Sequence, residues 1–244
     1  MNETSCENCT LCRKEGFRPL RADELKFVAG NRHGQGELAA GRYLIRAGEP
    51  PKALYTLYEG WAAACPDVPG GETQITEILL PGDLVGTQGC ITGRYSHSVV
   101  ALTRIRYCIL DRLLPEKLVQ RGGPLCFALL RNFAEERSRR ERMLTLLGNG
   151  SPLQRLAYFF LETFMRLRAI GLAAETMCPF PLRRSQLAQI VGLSEVHVSR
   201  TLAAMRKDGL IDIANNILFI DGEGKLADIA RLRPMVYSQG KLIL

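Results

Sequence analysis

No stretch of this 244-residue chain approaches the roughly 20 consecutive apolar residues that cross a bilayer. Residues 1 to 20 hold no apolar run of the kind a signal peptide needs. A soluble, cytoplasmic protein with no membrane partner is therefore expected. Histidine is scarce too, with only His33, His97 and His197, and no nucleophile stands at a recognisable spacing from a base. Without such a constellation a catalytic role is not expected. Acidic residues are outnumbered, 25 against 32 Lys and Arg, for a formal net charge of +7. That balance favours a polyanionic partner such as nucleic acid over an acidic metabolite.

In a reducing compartment the eight cysteines do not read as a disulfide framework. Three of them crowd the N-terminus as Cys6, Cys9 and Cys12 in S-C-E-N-C-T-L-C. Thiolates three residues apart on a short loop can converge on one metal, the ligand pattern of iron-sulfur clusters and of zinc sites; a thiol redox switch is the other reading. Cys65, Cys90, Cys126 and Cys178 are isolated and read as small buried hydrophobes, with Cys126 beside Phe127 placed in the core.

The length accommodates two modest domains. From Gly41 to Asp111, short apolar segments alternate with Gly-rich turns: Tyr43 to Ile45, Leu54 to Tyr58, Ile75 to Leu79, Leu84 to Val85, Val99 to Leu102 and Arg106 to Leu110. Strands at this spacing predict an antiparallel barrel or roll, with the Val99 and Cys108 strands adjacent or nearly so. After Pro124 a helical run extends from Leu125 to Leu147 with no Pro or Gly inside it. At heptad spacing its seam would be Leu130, Phe133, Arg137, Arg140, Leu144 and Leu147, apolar at the ends and basic in the middle. A second amphipathic helix starts at Ser151, an N-cap with Pro152 at the first helical position, and reaches about Arg168 with Leu156, Phe159, Phe160 and Phe164 in the core. Gly171 to Pro181 reads as a loop.

Arg184 to Val191 reads as a helix, Gly192-Leu193-Ser194 as a turn, and Glu195 to Lys207 as a second helix capped by Ser194. Leu187, Leu193, Val198 and Leu202 supply the apolar faces that hold the two helices at an angle. Gly209 ends the second helix, and Leu210 to Ile213, Asn215-Asn216 and Ile217 to Ile220 predict a hairpin. Together these form a winged helix-turn-helix. Its candidate DNA contacts are Arg184, Ser194, Glu195, His197, Ser199, Arg200, Arg206 and Lys207. Arg200 carries the forked donors that match guanine O6 and N7, while Arg206 and Lys207 suit phosphate.

With G-R-Y-L-I-R-A-G-E (Gly41 to Glu49), A-L-Y-T-L-Y-E-G (Ala53 to Gly60), L-P-G-D-L-V-G (Leu80 to Gly86) and L-A-Q-I-V-G-L-S-E-V-H-V-S-R-T-L (Leu187 to Leu202), nearly the whole chain resembles the CRP/FNR family of bacterial transcription regulators. The resemblance implies an α+β fold: a cysteine-bearing sensor arm at 1 to 20, a cyclic-nucleotide-binding-like β-roll at 21 to 123, a long dimerisation helix at 124 to 150, and a winged helix-turn-helix DNA-binding domain at 151 to 244. Family members that bind cyclic nucleotides carry a glutamate soon after the last roll glycine and an arginine about ten residues on. Here Thr87 and Gln88 follow Gly86, with Ser96 and His97 further along, so cyclic nucleotide is not the expected effector. The FNR-like branch instead holds a [4Fe-4S] cluster with N-terminal cysteines plus one from the roll. By that resemblance Cys108, in T-R-I-R-Y-C-I-L-D, joins Cys6, Cys9 and Cys12 as metal ligand. The run C-x2-C-x2-C departs from the branch, whose second and third cysteines stand further apart.

The resemblance implies an oxygen or redox sensor in which the cluster favours a homodimer. Such a dimer would place two recognition helices about 34 Å apart on a palindromic promoter, with RNA polymerase as further partner. In the apo state, Arg137 and Arg140 at the seam would repel their symmetry mates unless Glu136 or Glu141 compensates. FNR-like proteins carry a glutamate where Val196 stands, although Ser199 and Arg200 match, so the TTGAT half-site is not transferred. A regulator responding through zinc, thiols, haem or a small molecule is the alternative within the family. Outside it, an iron-sulfur electron carrier would need neither a winged reading head nor a basic balance.

Overall fold

The computed structural model describes residues 6, 9, 11, 17, 19–67 and 74–231. Cys12 lies outside the described residues. Two units make up the chain, one running to Phe133 and the second beginning at Ala134, so the division falls inside the long helix rather than at either end of it.

Eight strands build the roll of the first unit: β1 (Arg32–Leu38), β2 (Tyr43–Ile45), β3 (Leu54–Glu59), β4 (Ala62–Pro66), β5 (Glu77–Leu79), β6 (Leu84–Val85), β7 (His97–Ala101) and β8 (Ile105–Leu110). They form two antiparallel sheets, ordered β1-β8-β3-β6 and β2-β7-β4-β5. Ile45, Leu57, Ala62, Ala64, Val99 and Ile105 are buried together as the filling of the roll. The Val99 and Cys108 strands are consecutive but belong to opposite sheets, which corrects the expectation that they neighbour one another. The cause is a shared corner: the Leu102 amide donates to the Trp61 carbonyl (2.8 Å) and the Trp61 amide to Thr103 Oγ1 (2.9 Å). Both chain passages, β3 to β4 and β7 to β8, cross between sheets there. Two strands carry no legible signal. R-H-G-Q-G-E-L in β1 lacks apolar alternation, and A-A-A-C-P in β4 is made mostly of a helix former that happens to be buried on every side.

Helices α1 (Ala22–Gly30), α2 (Thr87–Thr92) and α3 (Leu114–Arg121) accompany the roll, and α4 (Gly123–Asn149) follows as the long helix. A second buried cluster joins Val28 of α1, Leu54 and Leu110 of the first sheet, Leu114 and Leu118 of α3, and Leu125, Ala128 and Leu129 of α4. The spacing of the last three places them on one helical face, and that face is what anchors α4 to the outer side of the sheet. Cys126 is only half-buried, which corrects the core position expected for it: it sits at the side of the anchoring stripe, and Phe127, 66 % exposed, lies on the opposite flank.

The second unit contains the rest of α4, then α5 (Pro152–Ala169), β9 (Met177–Pro179), α6 (Arg184–Val191), α7 (Glu195–Lys207), β10 (Ile211–Ala214), β11 (Ile217–Ile220) and α8 (Glu223–Ala230). Ser151 caps α5 in a reciprocal box with Gln154, and Leu156, Phe160 and Phe164 are buried against Phe180, whose ring lies 5.4 Å from that of Phe160. The segment expected as a plain loop contributes β9, which pairs with β11 and buries Cys178 opposite Leu218. Asn215 and Asn216, at φ 51° and 59°, make the tight turn of the β10–β11 hairpin. No described helix is long and apolar enough to cross a membrane.

Candidate functional site

Cys108 sits on β8, the strand between β1 and β3, in register with Gln35 on one side and Thr56 on the other. Tyr107 packs into the roll interior, so alternation turns Cys108 to the outer face of the sheet. The arm reaches the same region: Leu11 and Phe17 are buried, and Cys6 and Cys9 are half-buried. The three thiols feel one another. Burial pushes the Cys108 thiol above its ordinary pKa, the Arg32 cation pulls it back, and Cys9 and Cys6 push it up again. Cys6 shows the same balance of burial, Arg32 and Cys9. Gln35 Nε2 lies 4.0 Å from Cys108 Sγ.

Arg32 is the residue that sequence reasoning missed here. Its Nε and Nη2 are buried with no hydrogen-bond partner among the described residues. Leaving charged donors buried and unpaired costs on the order of 1–3 kcal/mol for each group, so a cation held this way beside thiols calls for an anionic occupant. A metal group ligated by thiolates carries that charge. Among the described residues no three His, Cys, Asp or Glu side chains are already grouped to hold a metal ion.

The reading head has the bounds expected of it. Gly192 ends α6 in the left-handed region (φ 60°), and Ser194 Oγ accepts the His197 amide at 3.3 Å as the cap of α7. Leu187, Val198 and Met205 are buried where the two helices meet, and Leu193 and Leu202 are partly buried. Arg184, Ser194, Glu195, His197, Arg200, Arg206 and Lys207 are exposed, and Ser199 is half-buried. The Ser194 hydroxyl also lies 3.1 Å from His197 Nδ1, so this pair organises the start of α7. Arg206 does not project freely: its guanidinium bonds Asp212 on the wing, with Nε to Oδ1 at 2.7 Å. A groove of about 420 Å³ opens between the start of α6, α7 and the wing, with Arg183, Arg184 and Arg206 on its walls. Arg183 and Asp212 carried no distinguishing sequence signal, since their roles depend on which strand faces which helix.

Two matches cover the roll and the reading head: residues 35–121 match the cyclic nucleotide-binding domain and residues 154–229 the Crp-like helix-turn-helix domain. The chain belongs to the CRP/FNR family of transcription regulators. It is a DNA-binding regulator with the α+β fold of that family. It is similar to the transcriptional activator protein anr of Pseudomonas aeruginosa, 28% identical over 212 residues, 86% of this chain and 85% of the relative. Similarity to the nitrogen fixation regulation protein FixK of Bradyrhizobium diazoefficiens is also 28%, over 94% of this chain and 93% of the relative. The solved structure of FixK2 from Bradyrhizobium japonicum superposes with a TM-score of 0.70 at 21% identity, over 80% of this chain and 96% of that one, which speaks for the fold.

In this CRP/FNR regulator the long helix α4 exposes Phe127, Leu130, Ala134, Arg137, Glu141, Leu144 and Gly148, residues spaced alternately by three and four. Of the six expected seam residues, Leu130, Arg137, Arg140 and Leu144 are exposed. Phe133 instead packs against the roll's outer cluster. Leu147 turns to the reading head, its Cδ2 3.0 Å from where a Cβ on Gly192 would stand. Arg137 pairs with Glu141 one turn on (2.7 Å), and Arg140 pairs with Glu136 one turn back. Next to α2, the Tyr95 ring packs against Gly89. A Cβ on Gly89 would fall 2.4 Å from Tyr95 Cδ1, and the Tyr95 hydroxyl donates to the Ala53 carbonyl (2.9 Å). Arg94 is exposed and donates to the Gly48 carbonyl.

Proposed function

We propose that the chain is a cytoplasmic regulator that senses oxygen or redox state through a [4Fe-4S] cluster held by Cys6, Cys9, Cys12 and Cys108, and that it binds a palindromic promoter site as a homodimer in partnership with RNA polymerase. The observation that carries this reading is Arg32, which hydrogen-bonds Cys6, acts electrostatically on Cys108, and keeps two buried donors without a partner among the described residues. When bound, such a cluster would supply a redox-labile crosslink between the arm and the roll. Cys6, Cys9 and Cys12 from the arm and Cys108 from β8 would hold it, Arg32 would offset the negative charge of the thiolates, and Gln35 Nε2 stands 4.0 Å from Cys108 Sγ. Thr87, Gln88, Ser96 and His97, where cyclic-nucleotide binders carry a glutamate and an arginine, support an effector other than cyclic nucleotide. The exposed stripe of α4 is the surface offered to the second protomer, and Arg184, Arg200 and Lys207 are the cations offered to DNA.

Purification without air, followed by an absorption spectrum, tests the reading. A brown protein that bleaches in air and turns colourless in Cys108→Ala is the expected outcome. A colourless wild-type preparation carrying zinc would overturn it.

A further inference from the structure

At the start of α5, one side chain gathers the ends of two other helices. Arg155 Nη2 donates to the Leu147 carbonyl at 3.0 Å and Nε to the Gly150 carbonyl at 3.1 Å, both at the C-terminal end of α4. Its Nη1 donates to the carbonyls of Val191 and Gly192, each at 3.2 Å, where α6 ends in the recognition hairpin's turn. All four acceptors are backbone carbonyls. The last carbonyls of a helix lack intrahelical partners and carry the negative end of its dipole, so one guanidinium satisfies two such ends at once. An apolar contact reinforces the same spot, since Leu147 lies against Gly192, whose missing side chain and left-handed φ of 60° permit the approach. The base of Arg155 is itself held: its amide bonds the Ser151 carbonyl (3.0 Å), inside the Ser151–Gln154 capping box.

We propose that Arg155 is the positioning residue that locks the recognition hairpin to the end of the long helix, and thereby sets the separation of the two hairpins in a DNA-bound dimer. The proposal rests on the dimer reading above. A palindrome rewards two hairpins only when both can engage together, and that advantage vanishes when the geometry between them is loose. Neither α7 nor any of the candidate DNA contacts touches the guanidinium through these bonds, so its removal leaves the reading surface of each hairpin in place. Lysine, with one ammonium on a flexible stem, cannot span four carbonyls in a plane and restores only part of the clamp.

The test uses the full chain, purified without air, as wild type, Arg155→Gln and Arg155→Lys. The probes are a palindromic duplex selected by the wild-type protein from a random pool and a duplex carrying one of its half-sites. Palindrome affinity should fall at least about tenfold in Arg155→Gln, less in Arg155→Lys, while half-site affinity stays within roughly twofold. Amide exchange at Leu193 and at the last turn of α4 should quicken, with circular dichroism unchanged. An equal loss on both duplexes would show that Arg155 merely keeps the hairpin folded and would overturn the proposal, as would unchanged or tighter palindrome binding. Should wild type itself not prefer the palindrome, the dimer reading fails; the exchange rates then decide the clamp, and unchanged rates in Arg155→Gln sink it.

Discussion

Single residues in this regulator are placed by partners far away in sequence, and Arg32 is the sharpest case. Its guanidinium stands beside Cys6 and Cys108 with two buried donors unsatisfied. In the apo protein such a group is a cost, of the order of 1–3 kcal/mol for each unpaired donor; beside an anionic metal group it is a counterion. Arg32→Met should therefore leave the apo melting temperature unchanged or raise it, while shortening the lifetime of the cluster in air. Iron content and decay of visible absorbance check the second half. A variant that loses apo stability but holds its cluster as long as wild type would remove Arg32 from the site. The close spacing of Cys6, Cys9 and Cys12, on which the proposed ligand role rests, was legible because it lies within one short run of sequence. Arg32 was not, because it lies on a strand whose sequence R-H-G-Q-G-E-L shows no alternation to say which face it occupies.

At the scale of one element, α4 shows where periodicity stops. Two heptad phases share Leu130, Arg137 and Leu144, and they differ in whether Phe133, Arg140 and Leu147 or Phe127, Ala134, Glu141 and Gly148 complete the stripe. Both phases offer apolar residues, so pattern alone cannot choose between them. Packing chooses: Leu125, Ala128, Leu129 and Phe133 turn toward the roll's outer cluster, which leaves Phe127 and Leu130 on the open flank. The exposed stripe therefore carries Arg137, and Arg140 lies beside it. In air-exposed apo protein, Arg137→Leu should strengthen self-association by roughly tenfold or more, as burial of one leucine per protomer adds about 1.5–3 kcal/mol. Arg140→Leu should change it little. Sedimentation equilibrium distinguishes the two, and an equal gain from both would return the seam to the other phase.

For the whole molecule, a positive balance and the proposed two-fold dimer make the salt dependence of DNA binding a count of engaged cations. If both protomers bind, Lys207→Gln removes two phosphate contacts and should flatten the slope of log affinity against log salt by about 1.8, at roughly 0.9 per contact. A change near half of that would mean that only one hairpin is engaged. Arg206→Gln should alter the slope less, since Asp212 already neutralises that guanidinium. Features that rest on local chemistry could be read from the order of residues alone. Ser151 and Ser194 marked helix starts, and Gly192 and Asn215-Asn216 marked turns. The roll and the winged helix-turn-helix were legible for the same reason. Only the tertiary structure decided which residues from distant segments share a place: that β7 and β8 part at a corner pinned by Trp61, that Arg32 lies beside Cys108, and that Arg155 reaches the ends of two helices. Those outcomes depend on backbone carbonyls and sheet faces that every residue type offers alike, so they leave no mark in the order of side chains along the chain.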